Sequence, residues 1–238
     1  TLGLIVAAFF VLCGLGTWQV LRLQEGHRND LYREGRVAAD PVQWRSDLGM
    51  TPEEMDYRRV VVSGKWDNAH TFVLSNRAMY DTLGKDAVTP LIPNDGGPAI
   101  LVDRGWFPDE QRTQVLAQLA AEERATVEGL ARNVKLDPGR QTQTGDWTRL
   151  DPVEMGKQLS YPVVPWQLTQ GRRATVEDER TVPASLPVQL WTAEGKAIPH
   201  LDYAMTWYGL AVASVVISVI RWRMQRKQQA ALGAAASD

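Results

Sequence analysis

Few residues in this chain of 238 are placed to do chemistry, and the most distinctive is His200. It opens the segment His200-Leu201-Asp202-Tyr203-Ala204-Met205-Thr206-Trp207, ahead of an uncharged run that closes on Arg221-Trp222-Arg223-Met224-Gln225-Arg226-Lys227. If Pro199 opens a helix, His200 and Trp207 lie about two turns apart on one face, with Tyr203 and Ala204 between them. The small Ala204 would leave room for a planar ligand, which an indole could stack on and an imidazole could ligate. The plainer reading makes His200 a solvated polar residue at a helix start and Trp207 a membrane-interface anchor. Arg22, which ends the apolar run at the other terminus, either snorkels at a membrane edge or reaches an acidic group.

Elsewhere the signals are weaker. Arg104-Gly105-Trp106 precedes Pro108, where glycine permits close backbone approach and the flanking side chains can stack on each other. That makes either a fold-holding corner or a docking surface. His27 and His70, the other two of three histidines, have no partner at metal-ligand spacing, so no zinc or copper site is expected. Serine-elbow, zincin, phosphate-loop and dinucleotide signatures are all missing from the sequence, and no enzymatic activity is expected. Glu53-Glu54 and Glu122-Glu123 are adjacent acids that a helix would point about 100° apart, and they read as solvated faces.

These residues need elements to hold them. Tyr203 to Ile220 runs for about 18 residues without a charge, or about 27 Å as a helix, close to the thickness of a hydrocarbon core. Leu2 to Leu21 is similarly apolar. It is too long for the apolar region of a cleaved signal peptide, so it is expected to remain as an anchor. Leu12 is too bulky to precede a lipidated cysteine, which leaves Cys13, the single cysteine, as a small membrane-buried residue. The chain opens on Thr1, so further residues ahead of it are expected. Arg221, Arg223, Arg226 and Lys227 predict a cytoplasmic C-terminus, and two spans put the N-terminus on the same side.

The expected plan is a multi-pass membrane protein. Residues 1–21 form the first transmembrane helix, 22–202 an extracytoplasmic domain, 203–220 the second helix, and 221–238 a basic cytoplasmic tail. The middle lacks cysteine, so its stability rests on burial rather than disulfides. A net charge of −2 gives no reason to propose a nucleic-acid partner.

Within the middle, Arg22 to Arg36 continues the first helix outward. Met50 to Glu54 is a turn or helix start. Strands are predicted at Tyr57 to Ser63, Thr71 to Arg77, Ala87 to Ile92, Ala99 to Trp106, Ala125 to Ala131 and Val163 to Thr169. Asn94 to Gly97 makes a hairpin turn. Pro108 to Arg124 has helical spacing through Val115, Leu116 and Leu119, and Asp151 caps a short helix reaching Leu159. Asp137 to Asp146 and Gly171 to Leu186 read as loops. The sum is a mainly antiparallel β domain with one or two helices, bracketed by two transmembrane helices.

Five segments, in order, resemble the motifs of the Surfeit locus protein 1 family. They are Leu15-Gly16-Thr17-Trp18-Gln19-Val20-Leu21-Arg22; Tyr57-Arg58-Arg59-Val60 leading to Gly64; Thr89-Pro90-Leu91; Val102-Asp103-Arg104-Gly105-Trp106-Phe107-Pro108; and His200 to Trp207. The resemblance implies a chaperone of haem-copper cytochrome c oxidase assembly in a bacterial inner membrane, holding haem a as cargo for the catalytic subunit. It makes the catalytic subunit a partner and haem A synthase a further candidate. It implies His200 as the iron ligand, beside Trp207 and Tyr203, with Arg22 in reach of the propionates. Trp18 and the Arg104-Gly105-Trp106 corner are then docking or structural elements. The alternative is a membrane-anchored scaffold that stabilises an assembly intermediate without touching haem.

Overall fold

A computed structural model describes residues 2–133, 138–178, 183, 185–193 and 200–235. The chain divides into two units, residues 1–31 with 195–238, and residues 32–194.

The middle unit is a small closed barrel. Its strands are β1 (Val42–Gln43), β2 (Arg59–Trp66), β3 (Phe72–Met79), β4 (Thr82–Pro93), β5 (Ala99–Pro108), β6 (Arg124–Asn133) and β7 (Val163–Gln170). Along β2 alternate residues face inward, which buries Val60, Val62 and Trp66 and leaves Val61, Ser63 and Lys65 on the other face. β2 pairs antiparallel with β6 and, at its far end, with β4. β6 pairs with β7, β7 runs parallel to β5, and β5 returns to β4, so five strands form a ring. β1 and β3 are added outside it, on β2 and β4. The ring closes at Gly64, which pairs with both Ala125 and Pro93; a Cβ there would stand 2.4 Å from the Ile92 carbonyl oxygen. Trp66, Leu91, Ile100, Val102, Val127, Trp166 and Leu168 fill the core.

Local signals place the helices. Thr51 and Glu54 form a capping box on α2 (Pro52–Met55). After a 3₁₀ turn at Asp109–Gln111, α3 (Arg112–Ala120) buries Val115 and Leu119 against Val73, Ala87 and Phe107. The predicted helix of 108–124 is therefore trimmed at both ends, because Pro108 still belongs to β5 and β6 begins at Arg124. Asp151 accepts bonds from the Val153 and Glu154 N–H groups to cap α4 (Pro152–Gly156). Within 171–186, predicted as loop, Arg172–Arg173 forms β8, parallel to β9 (Leu190–Trp191). Asp137, the first residue of the other predicted loop, lies outside the described residues.

The Tyr57-Arg58-Arg59 motif fastens the last turns of the first helix. Arg59 donates to the Val37 and Ala39 carbonyls at 3.0 and 3.2 Å, and Arg58 to that of Asp40 at 3.0 Å. Arginines thus satisfy carbonyls that a helix end leaves open. Tyr57 lies between the guanidinium groups of Arg33 and Arg132, 5.2 and 4.2 Å from its ring.

The other unit contains most of α1 (Leu2–Ala38) and all of α5 (His200–Ala235). Each has a stretch long and apolar enough to cross a membrane, and only 6% and 11% of those stretches is buried. Neither stretch is buried as a core helix would be. The first helix runs unbroken past Leu21, as the mixed charges of 22–36 predict, and α5 extends from before Tyr203 through the basic segment. The less exposed residues of α5 are His200, Ala204, Trp207, Ala211, Ser214 and Ser218, alternating four and three apart. Ile5, Phe9, Leu12, Gly16 and Gln19 repeat the pattern on α1. A repeat of 3.5 is the spacing at which two helices can meet along one stripe of each, here called the seam.

Candidate functional site

The seam carries the chemistry. Near the end of α1's apolar run, Gly16 lies under the Tyr208 ring, which a Cβ would meet at 2.8 Å. The Tyr208 hydroxyl and Thr17 Oγ1 are 3.0 Å apart, and Thr17 also donates to the Cys13 carbonyl. One turn outward, His200 Nδ1 is 2.7 Å from Gln19 Oε1. An amide oxygen only accepts, so this contact calls for a proton on Nδ1, which in the neutral ring leaves the lone pair on Nε2. Nε2 has no hydrogen-bond partner among the described residues. A neutral imidazole held at one nitrogen and open at the other is a donor suited to an iron axial position.

The neighbours predicted to complete the site are placed differently. His200 and Trp207 share a face and are both half-buried on the seam. Ala204 between them is 2% exposed, so the room expected above it is already taken by protein. Tyr203 is half-exposed, off the seam. Arg22 pairs with Glu25 at 3.0 Å and lies 6.0 Å from the Trp18 ring, while Trp18 itself is 52% exposed. Together with Leu21, Gln24 and Arg28 these residues line a shallow groove of about 380 Å³ along α1. A ligand on His200 Nε2 therefore has an iron donor and an apolar setting, but no preformed slot over Ala204. Gln19 escaped notice as chemistry because its partner lies far along the sequence. Pro199 lies outside the described residues.

The barrel motif is internal. Arg104 is 1% exposed and lies 4.2 Å over Trp66, not over Trp106 as its spacing suggested. It donates to the Leu119 carbonyl at 3.1 Å, Asn68 Oδ1 at 3.4 Å and Glu122 Oε2 at 2.6 Å. Burial pulls its pKa down and Glu122 pulls it back up. Trp106, 2% exposed, donates to the Arg77 carbonyl. Gly105 has φ +116°, with the Val188 carbonyl oxygen 2.4 Å from where a Cβ would be. Sunk this deeply, Arg104 and Trp106 present no docking surface. Glu54 and Glu122, read as solvated acids, respectively cap α2 and hold Arg104.

Three polar clusters were invisible in sequence. Asp146, placed in a polar loop, is 2% exposed between Lys85 at 2.5 Å and Arg112 at 2.9 Å; burial raises its pKa, but these cations hold it below the usual range. Asp86 and Asp103 sit on neighbouring strands, with Arg77 Nε 2.9 Å from Asp86. Burial, then the neighbouring Asp103 charge, pushes Asp86 up to about 8, and burial pushes Asp103 up to about 6. His70 holds Asp67 at 2.7 Å, and Tyr161 donates to the same carboxylate. Among the described residues no group of three or more acidic, histidine or cysteine side chains could hold a metal ion.

Comparison with known proteins agrees with this layout. The SURF1 family model matches residues 6–212, which takes in the barrel and the seam residues of both helices around Gln19 and His200. A SURF1-like protein of Rickettsia felis is 24% identical, over 91% of this chain and 94% of its own length. Surfeit locus protein 1 of Mus musculus is 27% identical over 84% of this chain and 69% of its own, and that of Arabidopsis thaliana 24% identical over 84% and 71%. With the match running from the first apolar helix through the barrel into the second, the chain belongs to the SURF1 family.

Proposed function

We propose that this protein is a membrane-anchored assembly factor for haem-copper cytochrome c oxidase that holds haem a through His200 and passes it to the catalytic subunit. The observation that carries this reading is the imidazole at the mouth of an apolar helix pair, fixed at Nδ1 by Gln19 with Nε2 open. Haem a is cargo here, and what it requires of the chain is one iron donor and an apolar surface for its tail. Exposed Leu210, Val212, Val216 and Ile217 on α5, and Phe10 and Val11 on α1, face lipid in this reading. The four basic residues after Ile220 keep the C-terminus cytoplasmic and the barrel on the far side of the inner membrane. Haem A synthase is the candidate donor of the haem.

The second reading, a scaffold without haem, is favoured by the covered Ala204, since the seam there is already packed. Pigment separates the two. Detergent-solubilised protein from cells making haem A should show a haem a absorption band under the first reading, lost or shifted in His200→Ala. A colourless wild type would leave the scaffold reading.

A further inference from the structure

We infer that Gln19 is a positioning residue that sets the tautomer of His200, so that Nε2 rather than Nδ1 is offered to iron. The inference deepens the haem-holding reading and rests on it for the identity of the metal. Its geometry stands alone. Gln19 Oε1 and His200 Nδ1 are 2.7 Å apart, at the short end for an N–H···O bond, and both side chains are half-buried on the seam. Away from bulk water such a bond is stronger than at the surface, and the amide oxygen can be satisfied only by a protonated Nδ1. That is the reverse of the tautomer a histidine side chain prefers in water. The bond therefore selects a minor form and stops the ring from turning.

Position supports the role. Gln19 occupies the last place of the 3.5-residue repeat on α1, three residues beyond Gly16, and His200 occupies the first place on α5. Contact between Gly16 and the Tyr208 ring, with the Thr17–Tyr208 bond, fixes the approach of the helices one turn below. The amide is thus held by the same packing that holds the ring. Metal-ligating histidines commonly give their second nitrogen to such an acceptor, and its loss lowers metal affinity about 10–100-fold.

The test uses the full chain in detergent, as wild type, Gln19→Leu and Gln19→Glu. Nitrogen chemical shifts of labelled histidine in ligand-free protein, recorded above the imidazole titration, identify the protonated nitrogen. His200→Ala assigns the signal among three histidines. Wild type should carry the proton on Nδ1. Gln19→Leu should move it to Nε2 and weaken binding of added haem a about 10–100-fold, with helical content unchanged. Gln19→Glu, which keeps the acceptor, should restore both. An Nε2 proton in wild type, or an unchanged tautomer in Gln19→Leu, overturns the inference. So does a tautomer that switches with no loss of haem a affinity. If wild type binds no haem a, the haem-holding reading falls, and the tautomer alone decides whether Gln19 sets the ring.

Discussion

Replacing Arg104 tests whether the barrel motif is a structural anchor. Arg104→Ala removes two strong bonds, to the Leu119 carbonyl at 3.1 Å and the Glu122 carboxylate at 2.6 Å, together with the stack on Trp66 at 4.2 Å. Bonds to a charged group contribute about 1.5–3 kcal/mol each and a desolvated cation–π contact about 2 kcal/mol. Against this stands the relieved cost of burying a guanidinium, whose Nε has no partner. A net loss of about 3 kcal/mol is expected, or about 6–12 °C in Tm for a chain of this size. Arg104→Lys should fall between, since an ammonium cannot fork to both acceptors or stack as a plane. Glu122 is 52% exposed, so Glu122→Gln should cost less than about 1 kcal/mol. Thermal melts of the detergent-solubilised chain, followed by tryptophan fluorescence, measure all three. An Arg104→Ala shift under about 2 °C, or one equal to that of Glu122→Gln, would refute the reasoning.

Stability should fall as pH rises from about 5 to 8, because the native state keeps protons on Asp86 and Asp103 that the unfolded chain has lost; each such proton contributes about 1.4 kcal/mol per pH unit. Asp86→Asn should flatten that slope in Tm-against-pH scans, and an unaltered slope would show that the buried pair is ionised throughout. Gly16→Leu should disrupt the seam under Tyr208 and abolish any haem a pigment, whereas Tyr208→Phe, losing one bond to Thr17, should cost only about 1 kcal/mol. For topology, in a Cys13→Ala background, Asp47→Cys should react with an impermeant maleimide from outside the inner membrane; Gln225→Cys should react only after permeabilisation. The reverse pattern would invert the proposed orientation.

Sequence exposed what depends on neighbours along the chain. Period-two runs marked six strands, Thr51 and Asp151 marked helix starts, and apolar length marked both terminal helices. It missed what depends on convergence. Nothing in Gly64 announces that β2 turns from β6 to β4, because closure is a property of the ring. Asp146 reads as a loop residue until Lys85 and Arg112 arrive from β4 and α3. Arg104 stacks on Trp66 from β2, while Trp106 donates to the Arg77 carbonyl on β3, and neither partner is near in sequence. At the candidate site His200 was legible by type and Trp207 by spacing, whereas Gln19 was an unremarked letter in a motif and Ala204 looked open when it is packed.

The position of β7 in the ring also dictates an order of events during synthesis. β7 lies between β5 and β6, so until residues 163–170 have been made those two strands have no partner on their facing edges. From the end of β6 at Asn133 the ribosome must add roughly 40 more residues, a wait of about 2–8 s at ordinary elongation rates. During that interval the nascent chain is an open, strongly hydrophobic sheet that a protease or another nascent chain can attack, and only afterwards does it become a ring without an exposed central edge. Truncations that stop between Asn133 and Val163 should therefore be degraded or aggregate rather than accumulate as a smaller domain.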